Sequence, residues 1–463
     1  MIQKEGSNNL FRFLKSHIVI ILFVFILICF SLFSSFIAMK LKRAIIPDEP
    51  AHIILSHEFA SSWTFPEDSP RTYPYGPIGY SPYLYYWING RALGLLDKLI
   101  PDPGSYKQLV FLRFISVFYS VITLIFSYLL ANEVIKKPCW NLLSVFLLAN
   151  TMMFLFLSGG VSYDNLANML SIGSVYFFVR VVNKKDYLLN SIFSFIFILM
   201  GTLVKITLLP LFLIIVLIWG AFTIKNHVIL RDNFILKWKL VIPFVILLGF
   251  LILNFNLYGM NLINFGRIKP KCSQVMDMEK CNLSPFVARS AEINLREKLT
   301  FGTILSNSYP DPVEYVLDFW IKDMMEKTYG FFGHKKFIPD ISITFFRLFY
   351  LWVFLVIIRT LKKPSFIISS LWMITIFYTI VLFRTNYDSE MITGFKHVAI
   401  QGRYLFPIIG IFYTSINFHL SELNNRYLRK TSYLISIILF MFSGPILYLL
   451  KYNSVFCDWF IRP

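Results

Sequence analysis

Charge is what this chain has least of. Only 15% of its 463 residues are Asp, Glu, Lys or Arg, and 56% are hydrophobic; a soluble globular domain carries roughly 25% charged residues. That deficit excludes a soluble protein, and the long uncharged runs make the chain an integral membrane protein. Cysteine is scarce as well. Five cysteines are too few for a disulfide scaffold, and no C-x-x-C pair or His/Cys cluster suggests zinc. No small-residue cleavage pattern follows the first apolar run, which is too long for a signal h-region and is expected to stay as a span. Acidic residues are outnumbered, 26 against 44 Lys and Arg, for a formal charge of +18. The basic residues sit mostly between apolar runs, where topology and anionic headgroups account for them, so no nucleic acid is expected as a partner. Alanine is low while Ile, Phe, Lys and Asn are many, which suggests an AT-rich bacterial gene.

Long apolar runs are plentiful. Stretches able to span a bilayer fall at roughly 17–39, 112–132, 141–158, 165–182, 187–204, 207–224, 240–258, 344–361, 365–383, 404–420 and 432–450. The fold class is therefore all-α integral membrane, a bundle of about eleven spans forming one polytopic unit over 1–463. No sequence repeat is evident. Lys136-Lys137, Lys184-Lys185, the Lys225–Lys239 segment, Arg359 with Lys362-Lys363, and Arg426 with Arg429-Lys430 all fall on one side. Short basic loops prefer the cytoplasm. A multi-pass protein of the bacterial cytoplasmic (inner) membrane is expected, with the N-terminus cytoplasmic and the C-terminus outside. The two long loops, 40–111 and 259–343, then lie on the extracytoplasmic side.

Beyond the first run comes Pro47-Asp48-Glu49-Pro50-Ala51-His52. The prolines restrict the backbone on both sides of the acidic pair. Asp48 there is either an N-cap for a helix over about 50–60 or a catalytic or ligand-binding carboxylate, with His52 beside it. Next is the aromatic stretch Tyr73–Trp87, which includes Tyr80. Its rings suit a membrane interface or the apolar face of a sugar, and 82–98 reads as an interfacial helix. Asp164 opens the fourth span, either complementing the helix dipole or facing the first acidic loop. Lys205 interrupts two apolar runs, where a charge is costly and usually pairs or lines a cavity. Gln401-Gly-Arg-Tyr-Leu-Phe-Pro407 opens the tenth span. Arg403 suits a phosphate held by two parallel N–H bonds, and Gly402 admits a close backbone. Cys272 and Cys281, in the second long loop, are expected to form a disulfide in an oxidising compartment.

The Pro47–His52 motif, Tyr163-Asp164, Lys205 and the Gln401–Pro407 motif (with Gln401, Arg403 and Tyr404) together resemble the DUF2142 membrane proteins. The layout, an acidic first outer loop on a many-span bundle, resembles more broadly the GT-C glycosyltransferases, such as aminoarabinose transferases and protein mannosyltransferases. That resemblance implies a catalytic base at Asp48 or Glu49, and a lipid-linked donor's phosphate held by Lys205 and Arg403. The implied partners are a polyprenyl-phosphate-linked sugar, a glycan acceptor such as O-antigen, and membrane lipid. Many GT-C enzymes carry a larger soluble C-terminal domain. This chain ends about a dozen residues after its last run, so acceptor recognition is expected from the loops.

Physical chemistry supports the same scheme. Basic groups neutralise the charge growing on a leaving phosphate, and a carboxylate opposite takes the acceptor's proton. Attack from the far face would invert the anomeric centre. A divalent cation on Asp48 and Glu49 is the less favoured arrangement, since lysine and arginine alone can meet a monophosphate; no cofactor is expected. The rivals are a lipid-linked-sugar flippase or transporter, against which the lack of repeats argues, and an O-antigen polymerase or ligase, which would use the same substrate class.

Overall fold

Uncharged apolar segments fold as helices in a bilayer because a helix satisfies every backbone N–H and C=O within the segment. The computed structural model describes residues 2–100, 103–226, 238–284, 312–332, 335–336, 339–361, 365–393, 400–444 and 458–460. The main helices are α1 (Ile2–Lys40), α2 (Glu49–Ser61), α3 (Leu84–Leu99), α4 (Gly104–Val134), α5 (Pro138–Ala149), α6 (Met152–Ser158), α7 (Tyr163–Val182) and α8 (Tyr187–Val204). They continue with α9 (Leu209–Lys225), α10 (Val241–Asn254), α11 (Ile321–Tyr329), α12 (Asp340–Thr360), α13 (Phe366–Thr393), α14 (Phe406–Ser421) and α15 (Arg426–Phe442). Strand pairing among the described residues is limited to Phe331–Phe332 against Lys335–Lys336 and a single bridge between Leu41 and Phe460. The protein is an all-α membrane bundle.

Eight helices among the described residues are long and apolar enough to cross a membrane, and nine if the α5–α6 pair, bent by 67°, is counted as one span. The sequence predicts one unbroken span over 141–158; the helix instead breaks at Asn150-Thr151. There the Asn150 amide donates to the Phe146 carbonyl at 2.9 Å and the Thr151 hydroxyl to the Leu147 carbonyl at 2.9 Å. Side chains that bond the preceding turn compete with the helical ladder. The runs at 404–420 and 432–450 correspond to α14 and α15, of 16 and 17 residues; residues 445–450 lie outside the described part. The run at 240–258 extends through a π-helical turn at Phe255–Gly259 into a continuous apolar helix over Trp238–Phe265.

Burial ranks the spans. In α7, 83% of the most apolar stretch is inside the protein, against 11% for α1 and for Trp238–Phe265. The centre of the bundle is thus α7, flanked by α4, α8 and α14. Small hydroxyl residues let α7 and α8 approach: Ser174 donates to the Ser194 carbonyl at 2.8 Å, and Ser194 to the Ser174 carbonyl at 3.0 Å. Such exchanges join helices where lipid gives no hydrophobic drive. Outer helices leave Phe25, Leu32 and Ile242 exposed, as a bilayer-covered surface requires. At one end of the bundle, α2 and α3 pack on each other. Arg91 of α3 donates to the carbonyls of Phe59, Ala60 and Ser62, capping the C-terminus of α2.

Candidate functional site

The site assembles where four breaks in helical structure meet. The first lies between α1 and α2. Asp48 holds a left-handed backbone, φ 61°, a region that Asp tolerates better than most residues. It occupies the N-cap position of α2, yet its side chain makes no capping hydrogen bond. The carboxylate turns instead to Arg403, whose Nη2 donates to Asp48 Oδ2 at 2.5 Å. Burial raises the Asp48 carboxyl, but the charge and hydrogen bond of Arg403 outweigh it and hold the group below the ordinary aspartate value.

The second break opens α7. Ser162 caps the helix, its hydroxyl accepting from the Asp164 amide at 3.2 Å, and Asp164 is left buried in the first turn. The third is Lys205, extended between α8 and α9 with φ −151°, which brings its ammonium inside to within 2.5 Å of Asp164 Oδ1. The fourth is the 3₁₀ turn Gly402–Leu405 ahead of α14. A Cβ on Gly402 would lie 2.5 Å from the Lys327 and Thr328 backbone, so only glycine lets this turn lie against α11.

Arg403, 5% exposed, sits between the two carboxylates, its Nη1 3.7 Å from Asp164 Oδ2. That is an ion pair but too long for a hydrogen bond. Acid and base therefore alternate: Asp48, Arg403, Asp164, Lys205. The Lys205 ammonium lies 5.0 Å from the Tyr163 ring centroid and 4.8 Å from that of Tyr404; the Arg403 guanidinium lies 5.6 Å from the Tyr404 centroid. Aromatic faces favour cations there. Among the described residues, Nε and Nη1 of Arg403 have no hydrogen-bond partner. Buried donors left unspent are costly, and they mark where an anion's oxygens would be received.

His52 stands one turn beyond Asp48. Its Nδ1 pairs with the Tyr86 hydroxyl at 3.1 Å, its ring meets Tyr163 edge-on at 4.6 Å, and its Nε2 is unpartnered among the described residues. Burial drives the imidazole down to about 4, although Asp48 and Asp164 pull the other way, so it is neutral at pH 7.

Not every predicted residue joins this cluster. Glu49 is fully buried and faces the interior, where Arg113 binds both of its oxygens at 2.8 and 2.7 Å. Tyr80 sits edge-on to Phe265, and its carbonyl accepts from Asn261 at 3.5 Å. Gln401 contributes its carbonyl, accepting from the Tyr404 amide at 3.0 Å. Cys272 and Cys281 are disulfide-bonded with Cα atoms 5.8 Å apart, and the neighbouring Lys280 lies over Tyr73 of the first loop at 5.7 Å. Among the described residues no three His, Cys, Asp or Glu side chains converge as a metal ion requires. Sequence reasoning did not single out Tyr86 within the aromatic stretch Tyr73–Trp87, and it missed Arg113. The latter had a signal, a lone charge within the apolar run 112–132.

An apolar groove of about 350 Å³ runs between α11, α12, α13 and α14, lined among others by Met324, Thr328, Val353, Trp372, Leu405 and Phe412. Its Leu405 end is two residues from Arg403, and Thr328 is the residue against which Gly402 packs. Groove and charged cluster therefore share the 402–405 turn.

No family model matches the chain, and no curated protein sequence does. Solved structures do. Archaeal oligosaccharyltransferase AglB from Archaeoglobus fulgidus, in complex with an inhibitory peptide and a dolichol-phosphate, matches with a TM-score of 0.50 and 14% identity, over 95% of this chain and 60% of that one. The A. fulgidus oligosaccharyltransferase tethered by a disulfide to an acceptor peptide gives 0.50 and 15%, over 91% and 55%. ArnT from Cupriavidus metallidurans bound to undecaprenyl phosphate gives 0.47 and 11%, over 87% and 60%. At the 14–15% identity of the two oligosaccharyltransferase matches the likeness is one of fold alone, and the chain spans at most about 60% of the length of these proteins.

Proposed function

We propose, from a fold shared with membrane-embedded glycosyltransferases, that this chain moves a sugar from a polyprenyl-phosphate donor to a glycan acceptor. In this reading the site faces the outside of a bacterial inner membrane, and the acceptor is a surface polysaccharide such as O-antigen. Kinship with the DUF2142 group rests on the Pro47–His52 and Gln401–Pro407 motifs, the specific ones, together with Tyr163-Asp164 and Lys205.

One observation carries the proposal: a buried arginine with two unspent donors, between two carboxylates, beside an apolar groove. The lipid tail would lie in the groove and the phosphate oxygens would accept from Arg403 Nε and Nη1, with Lys205 adding charge nearby. AglB, solved with a dolichol-phosphate, was captured with a lipid phosphate of this kind. Asp48, 45% exposed where Asp164 is 2%, is the carboxylate open to an incoming hydroxyl. It takes the acceptor's proton as the acceptor oxygen bonds to the anomeric carbon; the bond from that carbon to the phosphate oxygen breaks, and its electron pair leaves with the phosphate. Attack opposite the phosphate inverts the anomeric centre. Asp164 keeps Lys205 charged and in place.

Asp48→Asn keeps the shape of the residue and removes the base. It is expected to lower transfer by about 10² to 10⁴, the usual worth of a general base, with the thermal transition nearly unchanged. Undecaprenyl phosphate binding should weaken in Arg403→Lys and Lys205→Met, each by roughly ten-fold or more, the scale of one charge-assisted hydrogen bond. The combined loss should be less than additive, because both serve one ligand. Near-wild-type transfer in Asp48→Asn, or unchanged affinity in both other variants, would overturn the assignment.

A further inference from the structure

We propose that Glu49 and Arg113 form a positioning unit that sets Asp48 and Asp164 on either side of Arg403; the functional meaning of this rests on the transferase reading above. Arg113, on α4, is fully buried, as is Glu49. Its Nε donates to Glu49 Oε1 at 2.8 Å and its Nη2 to Oε2 at 2.7 Å. Its Nη1 donates to the carbonyls of Leu41 at 2.6 Å and Ala38 at 3.2 Å, and Nη2 also to Lys42 at 3.1 Å. A guanidinium has five N–H donors, and all five are spent within the protein, so none remains for a ligand.

Glu49 is equally committed. Beyond the two bonds from Arg113, Oε1 accepts from the Val161 amide at 3.1 Å. A base must come within reach of the proton it removes, and this carboxylate has no exposed face. What it does have is connectivity. Ala38 is in the last turn of α1, and Leu41 and Lys42 directly follow that helix; Glu49 begins α2 and is bonded directly to Asp48. Val161 lies in the short link from α6 to α7, three residues ahead of Asp164. The same link is pressed onto the first segment: a Cβ at Gly159 or Gly160 would come within 2.5 Å of the side chains of Ile37 or Ile46. One ion pair therefore ties the backbone that carries Asp48 to the backbone that carries Asp164, and neither moves alone.

A buried ion pair is weak evidence for stability, because desolvating both ions offsets their attraction. An apolar pair of similar size can sustain the fold while it abandons the geometry. That separates positioning from packing. The test uses the full chain in proteoliposomes, with Glu49→Gln, Arg113→Lys and the double variant Glu49→Leu/Arg113→Met. Hydrogen exchange is followed at the Val161–Asp164 amides, and kcat and KM are measured with undecaprenyl-phosphate-linked hexose. In every variant that melts like the wild type, Val161–Asp164 should exchange at least ten-fold faster. Its kcat should fall at least thirty-fold, with KM for the donor within three-fold.

Unchanged exchange would overturn the tie. An unchanged kcat in a stable double variant would reduce the pair to packing. Abolished transfer with Val161 still protected would make Glu49 itself the proton acceptor and also overturn the proposal. A wild-type protein that transfers no sugar defeats the transferase reading instead, and the exchange measurement still decides whether the pair holds the two segments together.

Discussion

Asp48 and Glu49 are adjacent carboxylates with opposite fates. Adjacent residues at a helix start point in different directions, and here one direction leads to Arg403 and the other to Arg113. The sequence cannot separate them, because the arginine that claims Glu49 lies 64 residues away and the one that claims Asp48 lies 355 away. A pH profile can. Burial alone would raise the Asp48 carboxyl, and Arg403 holds it below the ordinary value. A base works only when deprotonated, so the wild-type rate should hold until the pH drops through this depressed value. In Arg403→Gln the guanidinium charge and its opposition to burial are gone, so the acid limb should move to higher pH. Residual kcat/KM measured from pH 4 to 8 reads this directly; a limb that stays where it was would mean that Asp48 does not set it.

At the scale of elements, turn chemistry was more legible than continuity. The helices expected over 50–60 and 82–98 are α2 and α3, found at Glu49–Ser61 and Leu84–Leu99, because proline and aromatic punctuation is local. The break at Asn150-Thr151 was not legible, since the apolar run continues across it and only the Thr151 hydroxyl's bond to Tyr413, 2.8 Å, shows what the bend satisfies. The sequence suggested that Gly402 lets the backbone approach a ligand; the close approach found is to the backbone of α11. Gly402→Ala should therefore cost about 1–3 kcal/mol, as overpacking does, with a lower Tm and at least ten-fold weaker undecaprenyl phosphate binding as the Arg403 turn is displaced. Gly94→Ala is the control: its added Cβ meets nothing within 4 Å, and its Tm should hold or rise slightly, alanine being the better helix former.

Across the whole molecule, the order of the motifs could be read, and their convergence could not. Asp48, Asp164, Lys205 and Arg403 are each visible as a charge at the end of an apolar run. That they meet around one guanidinium depends on helix packing that no local pattern encodes. The sidedness expected from the basic loops can be tested on a chain lacking Cys29, Cys139 and Cys457. Glu67→Cys, in the exposed first loop, should react with a membrane-impermeant maleimide in intact cells. Lys184→Cys, exposed between α7 and α8, should react only after permeabilisation. Labelling in the reverse pattern would place the site on the cytoplasmic side and remove the extracytoplasmic acceptor.

The alternation of two carboxylates with two cations leaves the empty site formally neutral, and that neutrality has a consequence for turnover. A sugar phosphodiester brings one negative charge. The proposed transfer would move a proton onto Asp48 and place a second negative charge on the departing lipid phosphate, so the sum would be the same before and after the chemistry. When Asp48 then gives its proton to water, the net charge of site and lipid phosphate together falls from minus one to minus two. Repulsion from both carboxylates then drives the lipid phosphate out. In the proposed reaction the exposed edge of Asp48 would work as a vent: each sugar delivered would be followed by a proton lost to solvent, and that loss would empty the site for the next donor.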